Sequence, residues 1–440
     1  MDSEFQRQQA AVEVDAVAPV ASGGPDIPAG EGKGRKAAAT FIFLTIALDM
    51  IAMGMIAPVL PKLIEGMVGG SAVLTATALG WFGTVWALMQ FCCSPILGSL
   101  SDRYGRRPIV LISNLGMGLD YFVMALAPTL GFLFIGRVIS GITASSIPTA
   151  MAYAADVTPA AKRAGTFGML SGAFGLGFVL GPAIGGLLGN INPRMPFWVA
   201  GGLSLCNFCY GFFVLPESLS LANRMKFSWK RAYPVGSLAL LRRHKELLGM
   251  AFVLLFGYLA QNSLMNVYVL YTDYRYHWTP RTIGLSLGVV GIFSAAIGAG
   301  LVKPAVKWIG ERRTILTGLL LGATGYALIG YSRTGLLVWF SIPVLNCMSL
   351  AWPTAQSLMT RHVSAGEQGQ LQGSIQGLRG LAGLFGPGLF TVIFARSISN
   401  EHFRVPGMPF FTASALVGVS FVAVLWVTRN GLRSATPGHP

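Results

Sequence analysis

GMLSGAFGLGFVLGP at residues 168–182 and GSIQGLRGLAGLFGP at residues 373–387 are two versions of one segment. Gly168, Gly172, Gly175, Gly181 and Pro182 return as Gly373, Gly377, Gly380, Gly386 and Pro387, 205 positions later. The same offset carries Pro148-Thr149-Ala150 onto Pro353-Thr354-Ala355. A register held over that distance marks one half of the chain as a copy of the other. Both versions are long and apolar, so the copies read as membrane bundles. Two like bundles facing each other can enclose a midplane site and rock about it, the plan of a secondary transporter.

Composition agrees. Of the 440 residues, 53% are hydrophobic and 11% charged, with mean hydropathy +0.60. A soluble domain carries about 25% charged residues. Apolar stretches of about 20 residues, each enough to cross a bilayer, recur at roughly 38–60, 78–100, 108–127, 130–154, 165–190, 196–216, 247–271, 281–302, 313–331, 335–359, 371–395 and 408–428. The fold class expected is all-α and membrane-integral, twelve transmembrane helices in two pseudo-symmetric six-helix bundles. The domains expected are a disordered cytoplasmic tail (1–36), an N-terminal bundle (37–217), a basic cytoplasmic linker (218–246), a C-terminal bundle (247–430) and a cytoplasmic tail (431–440). The 56 Gly and 24 Pro suit lipid, where small residues let helices approach and neighbours satisfy freed backbone groups.

The net charge of +15 is a topology signal. Arg103, Arg106, Arg107, Lys162, Arg163, Arg224, Lys226, Arg242, Arg243, Lys303, Lys307, Arg312 and Arg313 fall in loops on the side of both termini. Lys62, Arg194, Arg275, Arg281, Arg333, Arg396 and Arg404 fall on the other. The positive-inside rule therefore places both termini in the cytoplasm. No soluble segment interleaves basic and aromatic residues, which excludes a nucleic-acid binder. The basic linker favours anionic headgroups. Cys92, Cys93, Cys206, Cys209 and Cys347 all fall in expected spans. Cys206-x-x-Cys209 has no second ligand pair and reads as two small apolar residues. No metal-ligating set is visible. Gly284-x-Ser286-x-Gly288 lies in an expected membrane helix, without the strand or triad that a hydrolase elbow requires.

The strongest local motif is Gly98-Ser-Leu-Ser-Asp102-Arg103-Tyr-Gly105-Arg106-Arg107, between spans two and three. Its glycines permit a tight turn, and Asp102 can pair with bases of a neighbouring helix end. Asp156 and Arg163, in the next inside loop, are candidate partners. The expected role is a charge latch that holds one state and breaks to open the other, against plain positive-inside anchoring. This loop resembles the signature loop of the major facilitator superfamily. Gly177-x-x-x-Gly181-Pro182-x-x-Gly185-Gly186 in span five resembles that superfamily's antiporter motif. Its glycines give one smooth helix face, and Pro182 removes a backbone hydrogen bond.

A closer resemblance runs through the first half. Leu48-Asp49, Gly54, Pro58 and Pro61, Ala87-Leu-Met-Gln90, Leu119-Asp120-Tyr121, Gly136-Arg137-x-x-Ser140-Gly141-Ile-Thr143 and Ser171-Gly-Ala-Phe174-Gly175 are similar to the tetracycline/proton antiporters. So are Gln261, Trp278, Leu371-Gln372-Gly373 and Gly386-Pro387-x-Leu389-Phe390 in the second half. The resemblance implies an essential acid at Asp120, a structural or coupling base at Arg137 and a substrate-path amide at Gln90. It also breaks. Ser294 and Gly322 stand where that family carries a functional His and Asp. Lys303 and Lys307 replace Gly98 and Asp102 in the second copy of the loop. Arg379 is an extra buried cation.

The intramembrane charges argue independently. Asp49, Asp120, Arg137 and Arg379 lie inside expected spans, and each costs about 2.5–3.5 kcal/mol at the bilayer centre, so each is expected to face the bundle interior. Asp120 and Arg137 both sit about 10 Å below the outer surface, at roughly 1.5 Å per residue. An Asp49/Asp120/Arg137 cluster is geometrically possible, with one more carboxylate than base. Burial disfavours the charged form of a carboxyl and a neighbouring guanidinium favours it, so a conformational change can move the proton on or off. Asp120 is the expected coupling group, against a static ion pair that orders the bundle. Gln261, Asn262 and Asn266 of span seven are expected to line the cavity opposite Gln90. Arg379 either neutralises an acidic group or reaches the headgroups.

The expected function is proton-coupled efflux of an amphipathic small molecule, tetracycline-like by resemblance, by a monomer in a bacterial inner membrane. The expected partners are substrate, protons and lipid. No cofactor is expected beyond the proton gradient and a divalent metal carried by the substrate. The alternatives are an exporter or facilitator of a different drug or metabolite, and a membrane ligand sensor that binds without turnover. No nucleophile–base pair speaks for an enzyme.

Overall fold

The computed structural model describes residues 32–144, 146–158, 163–221, 224–225, 245–361, 363, 367–399 and 404–430. Residues 1–31, most of the linker expected at 218–246 and the tail at 431–440 lie outside the described residues. Helix begins at Gly32, ahead of the expected boundary at 37.

Eleven helices among the described residues are long and apolar enough to cross a membrane. The longest, Pro280–Tyr331, has 52 residues, about 78 Å of helix at 1.5 Å per residue, more than twice a hydrocarbon core. It is two crossings folded at Gly310, where φ is 79° and ψ 162°. Twelve crossings result. Spans one to six are Phe41–Met67, Ala72–Tyr104, Arg106–Leu126, Leu130–Val157, Gly165–Ile191 and Met195–Val214. Spans seven to twelve are Leu247–Tyr276, Pro280 to the Gly310 fold, residues 311–331, Gly335–Thr360, Gln370–Ser399 and Met408–Val427.

The fold at Gly310 has a twin. Gly105, which joins spans two and three, has φ 110° and ψ 160°. The offset of 205 that relates the repeated glycines also relates these two turns. Both take a backbone that an L side chain rarely adopts. The repeat therefore extends to the chain reversals, although the charged residues around the second turn have changed. A second twin lies in the middle of the bundles. Span four breaks between Thr143 and Ser146, and span ten passes through a 3-10 turn at Cys347–Leu350. Span eight loosens into a π turn at Ile297–Leu301. Irregular backbone at membrane depth is tolerated where it lines a cavity or is buried in protein.

The two halves pack differently inside. The second half has one continuous apolar core, from Leu247 and Tyr268 through Phe390 to Val424. The first half has two, one around Met55, Tyr121 and Phe197 and one around Phe41, Tyr153 and Leu170. Met50 belongs to one and Ala52 to the other, with Asp49 beside the division.

Between the halves, span two lies against span eleven and span five against span eight. Glycine sets the approach. A Cβ on Gly291 would lie 2.9 Å from Val179 Cγ2, and one on Gly284 would lie 2.9 Å from Gly186 Cα. On the other seam a Cβ on Gly83 would lie 2.7 Å from Pro387 Cβ. These contacts belong to the Lys62 end of the molecule. There Lys62 Nζ also reaches Asp273 of span seven, 3.6 Å away, and Glu65, 2.7 Å away. Toward the Arg103 end, Gly98, Gly165, Gly168, Gly172, Gly298 and Gly300 have no atom within 4 Å of where a Cβ would stand. The halves are thus closed together at the Lys62 end and parted at the Arg103 end.

Candidate functional site

Asp49 and Asp120 are both buried, at 1% and 0% exposure, and each has its own partners. Asp49 of span one accepts a hydrogen bond from Ser146 Oγ at 2.7 Å and from Asn207 Nδ2 at 3.5 Å. Asn207 in turn accepts from Thr45 Oγ1 at 3.1 Å. Ser146 stands just past the break in span four, so the break aims its hydroxyl inward. Asp120 of span three pairs instead with Arg137 of span four, Nη2 to Oδ2 at 3.2 Å. The three residues of the possible cluster therefore have separate hydrogen-bond partners, Asp49 in one set and Asp120 with Arg137 in the other. No ion pair links Asp49 to Arg137 among the described residues. Depth along a helix fixes height but not azimuth, and azimuth decided the partners.

The Asp120–Arg137 pair rests on one contact. Asp120 Oδ1 and Arg137 Nε are buried with no hydrogen-bond partner among the described residues. The guanidinium also lies 3.0 Å from Met124 Sδ. Gly136 makes room for the carboxylate, since a Cβ there would lie 2.6 Å from Asp120 Oδ1. A buried pair with unsatisfied atoms is costly to keep, and protonation of the carboxyl removes the charge that makes it so.

The signature loop forms a network, though not the one expected. Asp102 pairs with Arg106 one turn along, and Arg106 Nε reaches Asp156 Oδ2 at 3.2 Å. Arg103 stands apart, its guanidinium over the Tyr104 ring. Arg163 opens the fifth span's helix, and its side chain lies outside the described residues. The residue that sequence reasoning missed is Glu217. Its carboxylate accepts from the backbone N–H of Arg106 at 2.8 Å and of Arg107 at 3.2 Å. It thus caps the first turn of span three, where an anion is favoured. Arg107 donates to the Phe212 carbonyl at 2.6 Å, and Met225 N–H to the Asp102 carbonyl at 3.0 Å. An acid just after span six was the only available signal. Among the described residues this network joins spans two, three, four and six, all of the first half.

The span-five motif packs both ways. Gly177, Gly181 and Gly185, four apart, face Met50, Gly54 and Met55 of span one; Gly186 faces Pro280 and Gly284 of span eight. The helix runs through Pro182 without interruption.

Of the amides expected to line the cavity, Gln90 donates to the Ala144 carbonyl at 3.5 Å, beside the break in span four. Asn262 donates to the Tyr258 carbonyl, and Asn266 to the Asn262 carbonyl, both at 2.9 Å. One amide N–H of Asn262 and the amide nitrogen of Asn266 are thus engaged on their own helix. Asn262 faces Gly386 and Asn266 faces Gly83, so they roof the chamber near its closed end. Gln261 is half-buried. Tyr258 accepts from Gln356 Nε2 at 3.2 Å, and its ring lies 5.6 Å from that of Trp352. Ser294 Oγ faces Ser349 Oγ at 3.4 Å, and Gly322 packs on Met348. Arg379 is exposed. No group of three or more His, Cys, Asp or Glu able to hold a metal occurs among the described residues.

Two similar six-span bundles around a chamber open at one end, with buried carboxylates in only one of them among the described residues, define a multi-pass membrane transporter. The chain belongs to the Major Facilitator Superfamily, whose profile matches residues 42–387 and 250–437. It is 36% identical over 383 residues to the class C tetracycline resistance protein of Escherichia coli, covering 86% of this chain and 94% of that protein. It is 32% identical over 402 residues to the class D protein of Salmonella ordonez, covering 91% of this chain and 100% of that one. Among solved structures, the human organic anion transporter MFSD10 (TETRAN) superposes with a TM-score of 0.66 over 89% of this chain and 99% of that one. At 23% identity this likeness is one of fold.

Proposed function

We propose that the protein exports tetracycline, or a drug of similar size and polarity, in exchange for protons. It would sit in a bacterial inner membrane with both termini in the cytoplasm. Full-length likeness to tetracycline resistance proteins supports the substrate. The excess of Lys and Arg at the open end supports the orientation. The observation that carries the coupling is the Asp120–Arg137 pair, its carboxylate fully buried and its guanidinium largely so, yet joined by one contact.

In this reading the closed Lys62 end faces outward and the chamber opens to the cytoplasm. Substrate enters the chamber while Asp120 is ionised and paired. Rocking of the halves opens the outer seams between spans two and eleven and between spans five and eight. It also exposes the first-half carboxyls to the outside, where they protonate. The return stroke delivers that proton inward. Asp49 is the second exchange group. It is held by neutral donors only, so a change in the break of span four at Ser146 alters its hydrogen bonding directly. Ser294 and Gly322 supply no exchangeable proton to spans eight and nine, which leaves coupling to the first half. The Asp102–Arg106–Asp156 network is a latch prepared for the state in which the inner end closes. The transporter works as a monomer.

Everted membrane vesicles test this. Uphill tetracycline accumulation that a pH gradient drives and a protonophore abolishes is the expected result. Binding without flux would make the protein a sensor, and flux indifferent to the gradient a facilitator; either overturns the coupling.

A further inference from the structure

Arg379 has no part in that proton cycle, yet it occupies the wall of the chamber. In span eleven, Gln372, Gln376 and Arg379 are exposed and follow one another at four and three residues, so they share a helical face. Toward the closed end the same face continues into Gly386 and Phe390, which are buried. Gly386 backs on Asn262 of span seven, and on the adjoining strip a Cβ at Gly380 would lie 3.0 Å from Phe91 of span two. The lipid-facing residues Phe385, Leu389 and Val392 lie on a different side of the helix. A strip bounded by spans seven and two, buried where the halves meet and exposed where they part, faces the chamber. That disposes of the headgroup alternative for the side chain's direction.

The surroundings of Arg379 are unbalanced. Among the described residues no carboxylate lies within ion-pair distance of it. Asp273 is engaged by Lys62 at the far end, and Glu311 by Arg361 in the loop region. The sequence has no acid between Asp273 and Glu311, or between Glu367 and Glu401. From the contact of Gly386 with Asn262, Arg379 lies two turns along span eleven and Tyr258 one turn along span seven, both toward the open end, and Tyr258 is joined to Gln356 and the Trp352 ring. One turn toward the closed end, Gly383 has no atom within 4 Å of where its Cβ would stand. Open space therefore adjoins the guanidinium.

A guanidinium in a partly apolar chamber attracts an anion and presents a planar fork suited to two carboxylate or enolate oxygens. It repels a net cation. We infer that Arg379 is the substrate's counter-ion. The second-half wall takes a deprotonated acidic group of an amphipathic aromatic molecule, with the ring system against Trp352 and Tyr258 and the amides of Gln356 and Gln376 at its polar edge. The species carried is then the free organic anion, and a cationic metal chelate is disfavoured at this wall. This inference rests on the transport reading for its meaning, but binding tests it separately.

The test uses the full chain in phosphatidylcholine nanodiscs, with pyrenebutyrate and its uncharged methyl ester as probes. Wild type binds the acid at least about tenfold more tightly than the ester, the scale of one charge-assisted contact. Arg379→Gln weakens the acid by about tenfold or more and leaves the ester within about twofold; Arg379→Lys retains part of the preference. No preference in wild type, or equal losses for acid and ester, overturns the inference. Phosphatidylglycerol in the disc distinguishes a lipid source. If it abolishes the wild-type preference, the anion held there is a headgroup and the substrate role is overturned. In proteoliposomes the same variant raises KM for pyrenebutyrate with little change in kcat. If the binding preference holds while neither tetracycline nor pyrenebutyrate accumulates, the transport reading fails and the anion site stands.

Discussion

Gly284→Val tests whether glycine contact is what closes the Lys62 end, the outer end of the proposed cycle. A Cβ at this position meets the Pro182 carbonyl oxygen of span five and lies 2.9 Å from Gly186 Cα and 3.1 Å from Gly186 N. All are backbone atoms, so no side chain can swing aside. Ordinary contact begins near 3.4 Å; the Gly186 contact alone asks the two helices to part by about half an ångström, and the tighter contact with the Pro182 carbonyl and valine's methyl groups ask for more. Overpacking of this kind costs about 1–3 kcal/mol. In the parted outer end the strain vanishes, so the whole cost falls on the state described here. The ratio of outer-closed to outer-open molecules should fall by about 5- to 150-fold. Spin labels on Lys62→Cys and Asp273→Cys, in a chain with its five cysteines replaced, report the outer separation by electron–electron double resonance. The expected result is a new long-distance population in the Gly284→Val chain. Gly288→Ala is the internal comparison: its nearest neighbours are Val179 O at 3.2 Å and Ala183 Cβ at 3.7 Å, so its shift should be small. An unchanged distance distribution for Gly284→Val in inserted, folded protein would refute the claim that this seam limits opening.

Other outcomes follow from the contacts at each site. Asp120→Asn should abolish pH-driven accumulation in everted vesicles while the protein remains in the membrane; accumulation like wild type would remove Asp120 from the coupling. Gly136→Ala should push on Asp120 Oδ1, 2.6 Å from the new Cβ, and lower the transport rate without loss of insertion; a normal rate would mean that the pair has slack. Exchanging the charges of Lys62 and Asp273 tests the outer tie. Lys62→Asp alone should favour opening, and adding Asp273→Lys should restore closure. The effect is about 0.2–1 kcal/mol, because both groups are partly exposed, and double resonance with labels elsewhere on the outer ends would read it. Glu217→Ala should lower the melting temperature of the solubilised protein. The lost cap is worth about 1 kcal/mol, at the low end because Glu217 is exposed; an unchanged melt would show that water replaces it fully.

Much of the site was legible before the fold. Asp49, Asp120 and Arg137 stand out because a charge inside an apolar run is expensive wherever the run folds. The loop at Gly98–Arg107 is visible as a dense local pattern. What was misread was partnership. Depth put Asp120 and Arg137 at one level and made a cluster with Asp49 possible; all three share the first half, but Asp49 has partners of its own. Ser146 and Asn207 gave no signal, since hydroxyl and amide residues are common in membrane helices and only azimuth makes these two the ligands of Asp49. Asn262 and Asn266 read from sequence as amides offered to the cavity, and each turns an N–H back onto its own helix.

The chain alone determined the number of crossings, the division into related halves, the glycine-bearing turn between spans two and three and the placement of charge in oil. Each of these is written along the sequence, as run length, as a fixed offset or as the cost of a charge in lipid. The tertiary structure alone decided which end is shut, that Lys62 meets Asp273 across the halves, that Glu217 caps span three from 111 positions away and that Arg379 looks into the chamber. These depend on how far each helix is rotated and tilted. Rotation and tilt are set by contacts between backbones at glycine, whose partners lie a hundred residues or more away and leave no local trace.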